Sequence, residues 1–257
     1  MTLEIVPGSL TSPDPLIRSF APFAPAIGVT GYLDRWRPAL DLASAAVGSA
    51  VMSYPSPLNP VNVLVGDTVA TPVIIDVNGL RMVNCATLGA TSALTDANRK
   101  FNTDASFLIV WEESAAGSVP HGILTAAGLR FARGSASWSI SKLSGSAGTT
   151  LTISNDSAAG GVTISAKRYA AIVSIPADGT QEVSLTLIGA GQAPVTKKSI
   201  VSRGGSLEEN RRLRLGKDAG KNAENGPMYA ELVIWDRMLS SDELATAISY
   251  AKAQYAL

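Results

Sequence analysis

Two adjacent carboxylates, Glu112 and Glu113, and a second pair, Glu208 and Glu209, are the densest acidic positions that could work on a substrate. Neighbouring side chains in a strand point to opposite faces, so Glu112 and Glu113 cannot flank one bond as a general acid and its partner. Glu208 and Glu209 fall in a polar stretch that reads as a loop. Nucleophilic catalysis has a single histidine, His121, to serve as base, and no Gly-x-Ser-x-Gly elbow accompanies it. His121 lies in Val119-Pro120-His121-Gly122, a turn leading into a strand, where an exposed turn residue is the plain reading and a hydrogen bond to a ligand the alternative. Calcium would need several oxygen ligands, and Asp67, Asp76, Asp96, Asp104, Asn155, Asp156, Asp178 and Asp218 are scattered without an EF-hand spacing. Loops of a sandwich can gather distant residues, so calcium stays open, with Asn155, Asp156 and Asp218 the best contributors. No cofactor and no metal site is expected.

Sugar binding needs an aromatic ring to stack against and polar groups to fix the hydroxyls. The chain has four tryptophans. Trp111 sits in an apolar run and Trp138 alternates with Ile140, so each reads first as core. Trp235 follows Ile234 and should pack near the C-terminal helix, and Trp36, between Arg35 and Arg37, could face a partner or a carboxylate. If a glycan site exists, His121, Arg133 and Trp138 are the residues to look at first, on their positions at strand ends. The basic run Arg211-Arg212-Leu213-Arg214 invites a nucleic-acid reading, but alternation sets Arg212 and Arg214 against Leu213 and Leu215, which is the pattern of a solvated strand face.

The elements that would position these residues are strands. From about residue 60 short β-rich segments alternate with Gly, Asn, Asp and Ser, the rhythm of a sandwich. Candidate strands are 61–65, 73–77, 80–84, 107–112, 122–126, 130–133, 138–143, 150–154, 161–165, 169–175, 182–188, 198–202, 212–216 and 229–235. Residues 107–111 are apolar at every position and suit a central strand covered on both faces, with Glu112 and Glu113 marking its exit into water. At the C-terminus Leu239, Ser240, Glu243 and Leu244 combine a capping box with a hydrophobic staple. Leu244, Ala247, Ile248, Ala251 and Tyr255 then share one face of a helix of about 15 residues. Residues 1–28 carry Pro7, Pro13, Pro15, Pro22 and Pro25 and read as an extended arm. Its apolar Leu16, Ile17, Phe20 and Phe23 would pack along the domain formed by 29–257 or dock against another subunit.

Composition narrows the partners. Charged residues are 16% of the chain and balance to a formal net charge of zero, so no long-range field gathers phosphate backbones or anionic lipid. The lone Cys85, in Met82-Val83-Asn84-Cys85-Ala86, reads as a small buried hydrophobe. The N-terminus lacks the basic and apolar regions of a secretory signal, and no apolar run of about 18 residues occurs. The expectation is synthesis in the cytosol, no membrane insertion and no nucleic-acid partner.

The strand, Asp-Arg turn and capped helix of Met228 to Leu244 resemble the terminal signature of laminin G-like domains in the concanavalin A-like superfamily. Leu213 to Gly216 and Phe107 to Glu112 resemble the strands that precede it. The resemblance implies an all-β, two-sheet antiparallel jelly-roll sandwich, here with the Pro-rich arm and a C-terminal α-helix. Hydrolases of that superfamily present Glu-x-Asp-x-x-Glu or a close variant on one strand, and no such spacing occurs in this chain. The expected function is therefore non-enzymatic. The Ala, Ser and Gly-rich composition and the arm look most like a bacteriophage or prophage virion protein of tail, fibre or capsid. Such a protein would be a homo-oligomer that contacts a host glycan or a neighbouring virion protein. A glycan hydrolase or lyase on the same scaffold, and a free-standing bacterial carbohydrate-binding or adhesion module, are the alternatives.

Overall fold

The computed structural model describes residues 29–66, 71–85, 94–113, 121–143, 148–163, 168–203, 212–216 and 227–257. The arm, with Leu16, Ile17, Phe20 and Phe23, lies outside the described residues, as do Asp67, Glu208, Glu209 and Asp218.

Alternating strands build two antiparallel sheets. The first runs β14 (Val195–Ser199), β13 (Val183–Gly189), β12 (Arg168–Ile175), β7 (Ala105–Glu113), β16 (Pro227–Trp235), β5 (Leu80–Asn84) and β4 (Val73–Val77), with the short β1 (Asp34–Trp36) also paired to β16. The second runs β11 (Leu151–Ser154), β10 (Ser137–Lys142), β9 (Leu129–Arg133), β8 (His121–Ala126), β15 (Arg212–Leu215), β6 (Leu94–Lys100), β3 (Val63–Gly66) and β2 (Ser53–Pro55). The chain crosses repeatedly between the sheets: β5, β7 and β16 lie in the first, while β6, β8 and β15 lie in the second. This is an all-β jelly-roll sandwich closed by one C-terminal helix, α2 (Ser241–Tyr255); a single helical turn, α1 (Pro38–Asp41), follows β1.

The period-two pattern explains which side chains meet. Phe107, Ile109 and Trp111 of β7 join Leu124, Phe131, Trp138, Ile140, Leu213 and Leu215 in the core between the sheets. Leu108 and Val110 point the other way, into a second apolar layer with Val233, Trp235 and the Ala247, Tyr250, Ala251 and Tyr255 face of α2. A strand with a core on one face and a helix on the other has no side for water, hence its unbroken apolar run. Trp235 packs beside α2 as its sequence position suggested.

The helix begins as its sequence dictates. The Ser240 hydroxyl accepts from the Glu243 amide, and the Glu243 carboxylate accepts from the Ser240 amide, so two orphan donors are satisfied at once. Leu239 and Leu244 both pack on the second apolar layer. Arg237 reinforces the cap with two bonds to Glu243, at 2.6 and 2.7 Å. The Arg237 guanidinium, and then the Ser240 amide, hold the Glu243 carboxyl down at about 2. A carboxyl depressed in the folded chain contributes stability that is complete above its ordinary value and is lost as pH falls through the depressed one. Glu243→Gln should therefore lower stability near pH 7 by on the order of 1 kcal/mol, since the pair is only partly shielded from water. The gap between variant and parent should close between the ordinary carboxyl range and about pH 2, measured by urea denaturation across pH.

Four sequence expectations need correction. Glu112 and Glu113 do not leave the sheet for water: β7 continues through both and both are buried, because each has an arginine opposite. Residues 161–163, the described part of the strand expected at 161–165, are a bend and irregular chain, with Gly161 packed so close to the Ser154 carbonyl that a Cβ would stand 2.1 Å from its oxygen. The strand expected at 198–202 is shifted to Val195–Ser199. Strands β1, β2 and β6 were not foreseen; β6, with the polar text Leu-Thr-Asp-Ala-Asn-Arg-Lys, is held by pairing to β15 and β3 on either side. Cys85 is fully buried, which pushes its thiol up to about 12 and leaves it unreactive at neutral pH.

Candidate binding face

The two sheets differ on their outer surfaces. The outer face of the first is covered by α2. The second sheet has no helix or strand packed over it among the described residues, and its outward side chains run from buried in the middle, with Thr125 1% exposed, to exposed towards β2, with Val65 47% exposed.

Register fixes what that face displays. Leu124, Leu129, Phe131, Leu213, Leu215, Leu94, Leu64 and Tyr54 point into the core, so the residues alternating with them point out. One continuous row crosses seven strands: Ser141 opposes Arg130, Arg130 opposes Thr125, Thr125 opposes Arg214, Arg214 opposes Thr95, Thr95 opposes Val65, and Val65 opposes Ser53. A shorter row beside it holds Thr152, Ser139, Ala132 and Gly122. The face is thus small and hydroxylated, with arginines at intervals and no outward carboxylate in either row.

Its polar groups are incompletely satisfied. Thr125 is 1% exposed, yet its hydroxyl has no hydrogen-bond partner among the described residues, and the same holds for the Ser141 hydroxyl and for Arg212 Nε. A shielded hydroxyl left unpaired costs about 1–3 kcal/mol relative to one with a partner. Arg212 and Arg214, each half-buried, have no ion-pair partner among the described residues. The sequence reading of Arg212 and Arg214 as a strand face set against Leu213 and Leu215 gives the side of the sheet, but the cross-strand row is visible only once the strands are paired.

Two of the three residues singled out as a glycan site, Arg133 and Trp138, are buried. Trp138 is fully buried between the sheets, its ring centroid 4.8 Å from Tyr169 and 5.7 Å from Trp111, and its indole donates to the Val162 carbonyl. Arg133 is 3% exposed and donates to Glu113 at 3.1 Å, with its guanidinium over the Trp138 ring. Alternation along β9 turns Arg133 inward with Phe131, so neither Arg133 nor Trp138 offers a surface to a sugar. His121 opens β8 opposite Arg133 in the backbone register. Trp36 is also core, donating to the Tyr54 carbonyl, which corrects the idea that it faces a partner or carboxylate.

Acidic groups are similarly committed. Glu112 accepts from Arg168 on the helix side of the first sheet, whereas Glu113 accepts from Trp111 and Arg133 between the sheets. They face apart, as adjacency in a strand requires. Asp76 pairs with Arg81, Asp104 accepts from the Ala177 amide, and Asp178 accepts from Thr180. Asp156 caps a short turn through the Ala158 amide, and Asn155 donates to the Ser135 carbonyl. Among the described residues no three His, Cys, Asp or Glu side chains gather as a metal ion would require.

A polar cluster sits beneath α2. Glu231, at a bulge of β16, accepts from Arg35 at 2.6 Å and from the hydroxyls of Tyr250 and Tyr255, each at 2.8 Å. Burial, and after it the Glu231 charge, raises both tyrosines, so they stay protonated as donors. Nearby Asp34 pairs with Arg99 and accepts from Asn62. These charges are enclosed by the fold and serve it structurally.

Comparison with known proteins gives the fold and nothing finer. No family model and no curated protein matches the chain. Among solved structures, the binding domain of botulinum neurotoxin serotype D superposes with a TM-score of 0.53 at 11% identity, over 86% of this chain and 51% of that one. Trypanosoma rangeli sialidase superposes with a TM-score of 0.56 at 14% identity, over 89% of this chain and 34% of that one. The chain is a jelly-roll sandwich. It spans about half of the toxin domain and about a third of the sialidase, so the likeness is one of architecture.

Proposed function

We propose that this jelly roll is a non-enzymatic, lectin-like binding module whose ligand lies on the open face of the second sheet. The observation that carries the reading is the row of hydroxyl and guanidinium groups from Ser141 to Ser53, with the half-buried Arg214 in it lacking an ion-pair partner among the described residues. Saccharides are recognised by many hydrogen bonds to hydroxyls on a preformed surface, and a sheet face supplies such groups at fixed spacing. Ion pairing of Glu112 and Glu113 with different arginines on opposite faces supports binding over hydrolysis. That one structural neighbour is a toxin binding domain is compatible with the same reading.

The module belongs, on this proposal, to a larger particle, a phage or prophage virion, with residues 1–28 mounting it and pairing copies of the chain. Apolar Leu16, Ile17, Phe20 and Phe23 between prolines support a docking role for the arm. Multivalent display would let weak single sites hold a glycan-coated cell.

Two measurements test the parts separately. Screening the full chain against immobilised neutral and acidic glycans should give saccharide binding, and silence across the set would end the lectin reading. Light scattering of the full chain and of a chain starting at Gly28 should show an oligomer that falls to monomer on truncation. Two monomers of equal shape would remove the mounting role while leaving the binding face intact.

A further inference from the structure

Exposed apolar side chains are unevenly distributed over the domain. Among the described residues six large ones are exposed: Leu33, Val47, Met52, Val61, Val65 and Ile200. Five of them lie on one side of the sandwich, where β4 ends the first sheet and β2 ends the second. A bridge between Ala50 and Val73 carries the chain from Val47 to Met52 across that side, and the Met52 carbonyl accepts from the Gly66 amide at the end of β3. Val65 stands on β3 and Val61, 77% exposed, just before it, while Asn62 donates to Asp34 beside Leu33. Ile200 alone is elsewhere, following β14 at the opposite end of the first sheet. Exposed apolar side chains gathered in this way mark a surface that another molecule covers. Pro55 in β2 withholds a backbone donor from that edge, so the contact is made by side chains and not by an added strand.

The chain carries a segment suited to cover it. Residues 1–28 lead through Val29 into β1, which pairs with β16 on the flank away from β7 and meets the β2–β3 hairpin through Asp34, so the arm joins the fold on the side of the patch. As extended chain, Leu16 to Phe23 would span about 22 Å, and Phe23 would stand about 19 Å from Val29. Pro22 and Pro25 disfavour helical backbone at Ala21 and Ala24, which works against a reversal that would lay Phe20 on its own domain. We infer that Leu16 to Phe23 of one copy covers the Val61 and Val65 side of a second copy, and reciprocally, in a two-fold pair. Because the root of the arm and the acceptor share one side, a single axis beside it satisfies both arms. This rests on the reading that the arm pairs copies of the chain, and it names the surface used. Arg214, two strands in from β3, is left to the saccharide.

Two experiments on the full chain test the exchange. By light scattering the parent should have twice the single-copy mass, and the double variant Val61→Ser with Val65→Ser should fall to the single-copy mass, as removal of the arm should. Both valines are exposed, so the thermal melt of the variant should match that of the parent. In the second experiment a Phe20→Cys chain is mixed with a Val65→Cys chain and oxidised with diamide; the native Cys85 is buried and does not compete. Intact mass should show the mixed disulfide dimer. Its yield should drop by about tenfold when Ile200→Cys replaces Val65→Cys, since only a docked arm raises the local thiol concentration. A dimer lost on truncation but kept by the valine variant, or equal cross-linking at positions 65 and 200, would overturn the docking surface and leave the pairing role of the arm standing. A disulfide that closes inside a chain carrying both cysteines, with none in the mixture, would put the arm on its own domain and overturn the exchange. A parent of single-copy mass would overturn both the exchange and the pairing role.

Discussion

Glu231→Ala is expected to destabilise the domain by about 3–5 kcal/mol, the cost of leaving a buried charge without its partner. Glu231 is 1% exposed and Arg35 5%, and the carboxylate is the shared acceptor for the Arg35 guanidinium and two tyrosine hydroxyls. Truncation removes that acceptor from the guanidinium, which stays enclosed beneath α2 and still donates to the Tyr250 hydroxyl. The cost arises from stranding Arg35, so the double variant Arg35→Met with Glu231→Leu should recover most of it, because packed apolar groups replace a buried ion pair nearly without loss. Urea denaturation of the two variants and the parent at pH 7 measures both. A single-variant loss below about 1 kcal/mol would mean that water reaches the pair and that the cluster does not tie β1, β16 and α2 together.

Trp138→Ala should cost a similar amount, about 3–5 kcal/mol, as expected for deletion of a fully buried tryptophan from a well-packed core. The side chain meets Trp111, Phe131 and Tyr169, lies under the Arg133 guanidinium and donates to the Val162 carbonyl. Its removal opens a cavity and leaves that carbonyl without its donor. Trp138→Phe keeps most of the apolar contact and should cost clearly less. The same pair of variants discriminates between roles: a sugar-stacking tryptophan on a surface could be truncated with little change in the denaturation midpoint, whereas this one should shift it strongly. Unchanged midpoints for both variants would return Trp138 to the surface.

Legibility varied with how local the determining physics was. The capping box at Ser240 and Glu243, the apolar Leu239 and Leu244 flanking it and the helix to Tyr255 could be read directly, because each signal lies among residues close in the chain. The strands with strict alternation, β10 and β13, were legible for the same reason. Tyr250 was missed as a buried helix residue because its hydroxyl makes it look amphipathic, and its burial depends on Glu231 from another strand. Strand β6 was missed because its Asp, Asn, Arg and Lys give no β signal; its conformation is imposed by two neighbours far away in sequence.

Local pattern alone was enough for the sandwich class, the C-terminal helix and its cap, the interior position of Cys85 and Trp111, and which side of each regular strand is apolar. These follow from period, propensity and capping, which act within a few residues. Which face of each sheet is covered depended on long-range packing. Packing set α2 over the first sheet, paired Glu113 with Arg133 in the interior, and aligned Arg130, Thr125 and Arg214 across β9, β8 and β15. Cross-strand register and sheet-on-sheet packing join residues distant in the chain, and no local pattern records which strand will lie beside which.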